Sequence, residues 1–263
     1  MKLKNLLLAL CLSIASIASA QTPIEFIVKS SVGGPDDIVT RKLAEEIERK
    51  STIKIVVVNK PGAAHVIGYS YFESKNTPSL IIADSNIEKH PVFTQSEKIF
   101  SLGNFTNIMY VKRNAGISNF KDLVELSKKR DINFGHGGEG TYGHTAAVSV
   151  CEKTLKCLLV PYKSGAPGML DVLVGTIDAF SLISYGADVY MNNSSYLPIL
   201  MYSNSKHPKY DIPVLPNSMR NMEIKNWIAI FGRNISDKDR GTIQSILNQQ
   251  NSSFYTDSGL WYK

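Results

Sequence analysis

Val39, Leu43 and Ile47 recur every four residues behind Pro35-Asp36-Asp37, the spacing of one buried helix face. Proline suits a first helical turn and the two aspartates suit its positive end, so a helix is predicted over 35–50. Weaker periodic runs predict further helices over 63–74, 119–129, 142–153, 167–174 and 237–249. Between them stand short apolar runs rich in β-branched residues. These predict strands over 24–29, 53–59, 80–84, 108–112, 132–134, 158–162, 178–183, 197–202 and 227–231. Such alternation implies an α/β protein whose sheets are mainly parallel and flanked by helices. No repeat and no low-complexity linker interrupts it. Two lobes are expected, lobe 1 from 21–107 and 204–263 and lobe 2 from 108–203, joined by strands near 108–112 and 197–203.

The first twenty residues are of another kind. Lys2 and Lys4 precede an apolar stretch over 6–17, and Ala18-Ser19-Ala20 has the small residues of a cleavage site. This predicts a secretory signal, with the exported chain beginning near Gln21 in the periplasm. The stretch is shorter than the ~20 residues of a membrane span. Cys11 lies inside it behind Leu10, which does not suit lipidation. Without Lys2 and Lys4, the 29 basic residues become 27 against 23 acidic ones, a net charge of +4. These charges are scattered, and the clustered basic face of a nucleic-acid binder is absent from the sequence. In the exported chain Cys151 and Cys157 remain, as a local disulfide or as two buried thiols.

The chemistry that stands out is in two glycine turns. Ser31-Val32-Gly33-Gly34-Pro35-Asp36-Asp37 and Gly135-His136-Gly137-Gly138-Glu139-Gly140-Thr141-Tyr142-Gly143-His144 each follow a strand-like run and open a helix-like one. Such turns leave backbone N–H groups pointing at one spot, and the helix dipole adds positive potential there. Val32, Gly33, Gly34, Gly138, Gly140 and the Thr141 hydroxyl are thus candidates to hold a small anion. Asp37 suits a capping role better than an anionic ligand, although water or a ligand amine would also suit it. His144 either orients the second turn, contacts ligand or packs. His136, Glu139 and His144 do not have the spacing of a metal site. Gly138-x-Gly140-x-x-Gly143 fits a dinucleotide fingerprint literally, but Lys163 and Ser164 stand where a ribose-binding carboxylate is expected after the next strand. An exported oxidoreductase is the alternative this leaves open. No G-x-S-x-G marks a serine hydrolase.

Gly33-Gly34-Pro35-Asp36-Asp37 through Arg41 and Val58-Asn59-Lys60-Pro61-Gly62-Ala63 through Ile67-Gly68 are similar to motifs of one receptor family. So are Phe134-Gly135 through His144, Val160-Pro161-Tyr162-Lys163 through Ala166-Pro167, Gly175-Thr176-Ile177-Asp178, and Trp227 with the strand after it. In this order they resemble the tripartite tricarboxylate transporter substrate-binding proteins, the TctC-like or Bug receptors, over nearly all of the exported chain. The resemblance implies a two-lobed Venus-flytrap fold of the periplasmic-binding-protein type 2 kind. It implies a non-catalytic receptor without a cofactor, which holds a ligand carboxylate between the two glycine turns, partly through water. Tyr162 joins the implied ligand-binding set. The implied ligand is a dicarboxylate, a tricarboxylate, an acidic amino acid or an aromatic acid. A monomeric receptor would deliver it to a two-subunit membrane permease, or report it to a signalling partner. Val32, His65 and His136 depart from the family pattern.

Overall fold

The computed structural model describes residues 22–89, 96–207, 209–250, 254–255 and 260. The predicted export segment lies outside them. In the first half, β1 (Ile24–Val28) leads to α1 (Pro35–Lys50), β2 (Ile55–Asn59), α2 (Val66–Glu73), β3 (Ser79–Asp84) and β4 (Glu97–Phe105). The second half runs β5 (Asn107–Lys112), α3 (Phe120–Ser127), β6 (Ile132–His136), α4 (Tyr142–Lys153), β7 (Cys157–Pro161), α5 (Gly165–Val174), β8 (Ala179–Ile183), α6 (Asp188–Met191) and β9 (Tyr196–Met201). The chain then returns through β10 (Asn226–Arg233) and α7 (Asp237–Asn248).

Two five-stranded sheets result, in the orders β2-β1-β3-β10-β4 and β7-β6-β8-β5-β9. In each, three strands pair in parallel and one strand runs against its neighbours on both sides, β10 in the first sheet and β5 in the second. The sheets are therefore mixed, with four of five strands sharing a direction. β3 is buried along its whole length, which explains its unbroken Leu-Ile-Ile-Ala run. α1 lays Val39, Leu43, Ala44 and Ile47 onto the first sheet, as its four-residue spacing demands. α4 packs Ala146, Ala147 and Val150 onto the second.

The chain passes between the sheets at Thr106 and again after β9. Thr106 donates its hydroxyl to the Tyr202 carbonyl at 2.7 Å, and the Tyr202 N–H donates to the Asn107 carbonyl at 2.9 Å. The two passages are thus bonded to each other, and each expected crossing strand belongs to one sheet only.

Three local differences have physical reasons. β4 is not predicted because Ser96-Glu97-Lys98 and Asn104 dilute its apolar pattern, while Ile99, Leu102 and Phe105 face the core. The helix expected over 63–74 begins only at Val66. Gly62, Ala63, Ala64 and His65 all have positive φ, so a short 3-10 turn with left-handed backbone precedes it. α6 is a single turn, too short for a periodic signal. Cys151, near the end of α4, is bonded to Cys157 at the start of β7.

Candidate functional site

α1 follows β1, α4 follows β6 and α5 follows β7, so all three begin at the carboxyl ends of parallel strands. In each sheet the chain turns to opposite sides of one strand, β1 or β6, and such switch points leave a crevice. The two crevices face each other. Between them lies a half-open cavity of about 50 Å³, lined from the first half by Ser30, Pro35, Asp36, His65 and Asp84. From the second half come Thr141, Tyr142, Gly143, Ser164, Gly165 and Ser181, with Phe180 and Leu182. The first turns of three helices, of sixteen, twelve and ten residues, thereby meet at one space. First-turn amides lack intrahelical acceptors, so this arrangement suits a small anion. Ser30 Oγ and Ser164 Oγ are buried without a hydrogen-bond partner and line the same space.

Beside the cavity lies a buried charge cluster. Lys29 Nζ stands 2.7 Å from Asp36 Oδ1 and 3.3 Å from Asp84 Oδ2, and all three side chains are almost fully covered. Burial alone would push the Lys29 amine down and the Asp36 carboxyl up. Mutual attraction and hydrogen bonding outweigh that, so the Lys29 amine is held above its ordinary value and the Asp36 carboxyl below it. The Tyr185 hydroxyl reaches over from the second half and donates to Asp36 Oδ1 at 2.7 Å.

The expected donors of the glycine turns are mostly engaged within the turns. The Gly33 N–H donates to Asp37 Oδ2 at 2.9 Å, and the Gly34 N–H to the Ser31 carbonyl at 3.0 Å. The Gly140 N–H donates to His144 Nδ1 at 3.3 Å. The Thr141 N–H and hydroxyl both donate to the Gly138 carbonyl, and Thr141 Oγ1 accepts the His144 N–H. His144 thus orients the second turn. Asp37 also accepts from Arg41 and Asn59, so its carboxylate ties α1 to β2 and sits below its ordinary value despite burial. Val32 is exposed on the rim, at 67%. The Tyr162 hydroxyl donates to Asp171 at 2.6 Å, away from the cavity. Tyr162 instead lines an open groove of about 360 Å³ with Ala63, Ala64, Gly138, Glu139 and Lys163.

Of the residues expected from sequence, Thr141 alone lines the cavity between the sheets, while Gly138 and Tyr162 flank the open groove. Lys29, Ser30, His65, Asp84, Tyr142, Ser164 and Tyr185 are missed. One signal for Lys29 and Asp84 was present, since each ends an apolar strand run at the edge where α/β crevices form. Gly143 has a packing reason, because a Cβ there would lie 2.9 Å from the Ser181 carbonyl. Among the described residues, no group of three His, Cys, Asp or Glu side chains is placed to hold a metal.

The family profile described as "Tripartite tricarboxylate transporter family receptor" matches residues 39–250. The chain belongs to this receptor family. Its members are solute-binding receptors and not enzymes, which removes the oxidoreductase reading of the GxGxxG turn. The chain is 22% identical over 243 residues to a UPF0065 protein of Bordetella pertussis, spanning 82% of this chain and 73% of that one. The solved structure titled periplasmic binding protein BugD superposes with a TM-score of 0.78 at 22% identity, covering 89% of this receptor and 85% of that chain. R. palustris Rpa4515 with adipate superposes at 0.80 and 16% identity, with 91% and 88% covered. At these identities the likeness establishes the two-sheet fold.

Proposed function

We propose that this receptor captures a small carboxylate in the periplasm and delivers it to a two-subunit permease of the tripartite tricarboxylate type. The observation that carries this is the meeting of three helix N-termini on one cavity between the sheets. One helix end contributes only ~0.3–1 kcal/mol when exposed and up to ~2 when partly buried. Micromolar affinity needs ~8 kcal/mol. The ends of α4 and α5 therefore supply part of it, and expulsion of water on closure of lobe 2 (108–203) over lobe 1 supplies the rest. Bound adipate in the Rpa4515 structure supports the carboxylate class. The donors proposed here are the first-turn amides of α4 and α5 with the Ser164 hydroxyl. Gly138 and Gly140 shape the turn before α4, and Gly33 and Gly34 shape the turn before α1 on the opposite wall.

The test is a thermal-shift screen against mono-, di- and tricarboxylates, with NAD as a contrast. A ligand at a hundredfold its Kd adds ~2.7 kcal/mol, which raises Tm by roughly 5–11 °C at this size. A shift with a carboxylate is the expected outcome. Silence across the acids beside a response to NAD would refute the receptor reading.

A further inference from the structure

We propose that the cavity between the sheets takes a small neutral α-amino acid, of glycine or alanine size, bound as its zwitterion. The proposal rests on the receptor reading above and narrows its ligand. The cavity has two walls of different chemistry. The first-half wall presents the Asp36 and Asp84 carboxylates with His65 and Ser30. The second-half wall presents helix-start amides at Tyr142, Gly143 and Gly165 with the hydroxyls of Thr141 and Ser164. No lysine or arginine side chain lines it, and Lys29 behind the first wall already bridges both aspartates.

Asp36 and Asp84 share the one Lys29 ammonium away from water, with His65 the other group on that wall whose charge acts on Asp36, so a ligand cation arriving there meets two carboxylates. A ligand carboxylate fits the amide wall. The second carboxylate of a diacid would then face Asp36 and Asp84, and like charges at that range repel. An ammonium group placed there is attracted instead. Asp36 Oδ1 takes both the Lys29 and Tyr185 hydrogen bonds, and a carboxylate offers about four acceptor positions in all.

The two unpartnered hydroxyls point the same way. Ser30 Oγ on the acidic wall and Ser164 Oγ on the amide wall are each 2% exposed and have no partner within the protein. Buried polar atoms are nearly always satisfied, and a zwitterion satisfies both, accepting from Ser164 and donating to Ser30. Size agrees. At about 10–15 Å³ per water-sized position, the cavity of about 50 Å³ holds roughly three to five such positions. Glycine or alanine is of that order, and adipate is roughly twice as large.

Isothermal titration calorimetry of the purified protein at pH 8 decides this. The probes are glycine, L-alanine, propionate (no ammonium), methylamine (no carboxylate), succinate and adipate. The better of the two amino acids is expected to bind at least about tenfold tighter than every other probe. Propionate or a diacid binding as tightly overturns the proposal and leaves the carboxylate receptor standing. Methylamine binding as tightly as glycine overturns it as well. If no carboxylate of either kind binds, the receptor reading falls too. Two small variants check the orientation. Ser30→Ala is expected to weaken alanine more than propionate, and Ser164→Ala to weaken both alike. Equal responses to Ser30→Ala, in a variant with unchanged Tm, contradict the placement of the ammonium.

Discussion

The Tyr185 hydroxyl, carried on the loop after β8, donates to Asp36 Oδ1 at 2.7 Å and so ties the second half of the molecule to the first helix of the other half. Its ring stands edge-on to Phe105 inside the core of the first sheet. Both partners are buried, so the bond is shielded from water. Removing the hydroxyl leaves Asp36 one donor short at a buried position. Tyr185→Phe is expected to cost about 1.5–3 kcal/mol, a Tm loss of roughly 3–12 °C, with the fold unchanged. Differential scanning calorimetry gives the number, and an unaltered Tm would mean that the bond carries no net stability.

Gly186, next in the chain, tests the seam itself. A Cβ there would lie 2.4 Å from the Pro35 carbonyl oxygen, at a backbone φ of +65°. Neither the strain nor the backbone clash is relieved by a rotamer change. Gly186→Ala is expected to hold the two halves apart, with a larger radius of gyration in small-angle scattering and an unchanged far-UV spectrum. An unchanged radius would show that the seam tolerates the methyl group.

Asp37 accepts from Gly33, Arg41 and Asn59 and does not line the cavity, so its role is to brace the first turn. Asp37→Ala is expected to cost about 1–3 kcal/mol in urea denaturation, because it strands a turn N–H and the Asn59 amide. Ligand affinity in the variant, measured well below its melting point, should fall only a few-fold. A complete loss of binding with normal stability would assign Asp37 to the ligand instead.

His207 contributes to acid sensitivity. Burial and the neighbouring Lys209 charge push its imidazole down to about 4. Its Nδ1 accepts the N–H groups of Lys209 and Tyr210, so a proton there breaks both bonds. The folded protein binds this proton more weakly than the unfolded chain does. His207 therefore favours the fold fully above pH ~6.5, and the benefit is lost as pH falls from there towards 4, by up to about 3 kcal/mol. Denaturant midpoints across that range should fall with pH, and His207→Asn should flatten the slope. A pH-independent midpoint would contradict the assignment.

The Cys151–Cys157 bond closes a short loop, with a sequence separation of 6. Loop-closure entropy at this length stabilises by about 2 kcal/mol. Cys151→Ala with Cys157→Ala should lower stability by about that much and leave ligand affinity alone, since the bond lies at the far ends of α4 and β7 from the cavity. Urea titration beside calorimetry separates the two effects.

Local rules already carried much of this protein. The apolar stripe of Val39, Leu43 and Ile47 and the unbroken run ending at Asp84 specify an amphipathic helix and a buried strand, because side-chain period and backbone geometry are set within a few residues. The ordered glycine motifs likewise mark the receptor family from sequence alone. Tertiary structure alone decided that β10 and β5 enter their sheets against their neighbours, since strand order depends on where the chain returns. It also decided the site. Whether Gly33 or Gly140 offers its N–H to a ligand depends on Asp37 and His144 folding back onto them. Lys29, Asp36, Asp84 and Tyr185 are far apart in the chain, and their charges matter to one another only where burial removes the water that would otherwise screen them.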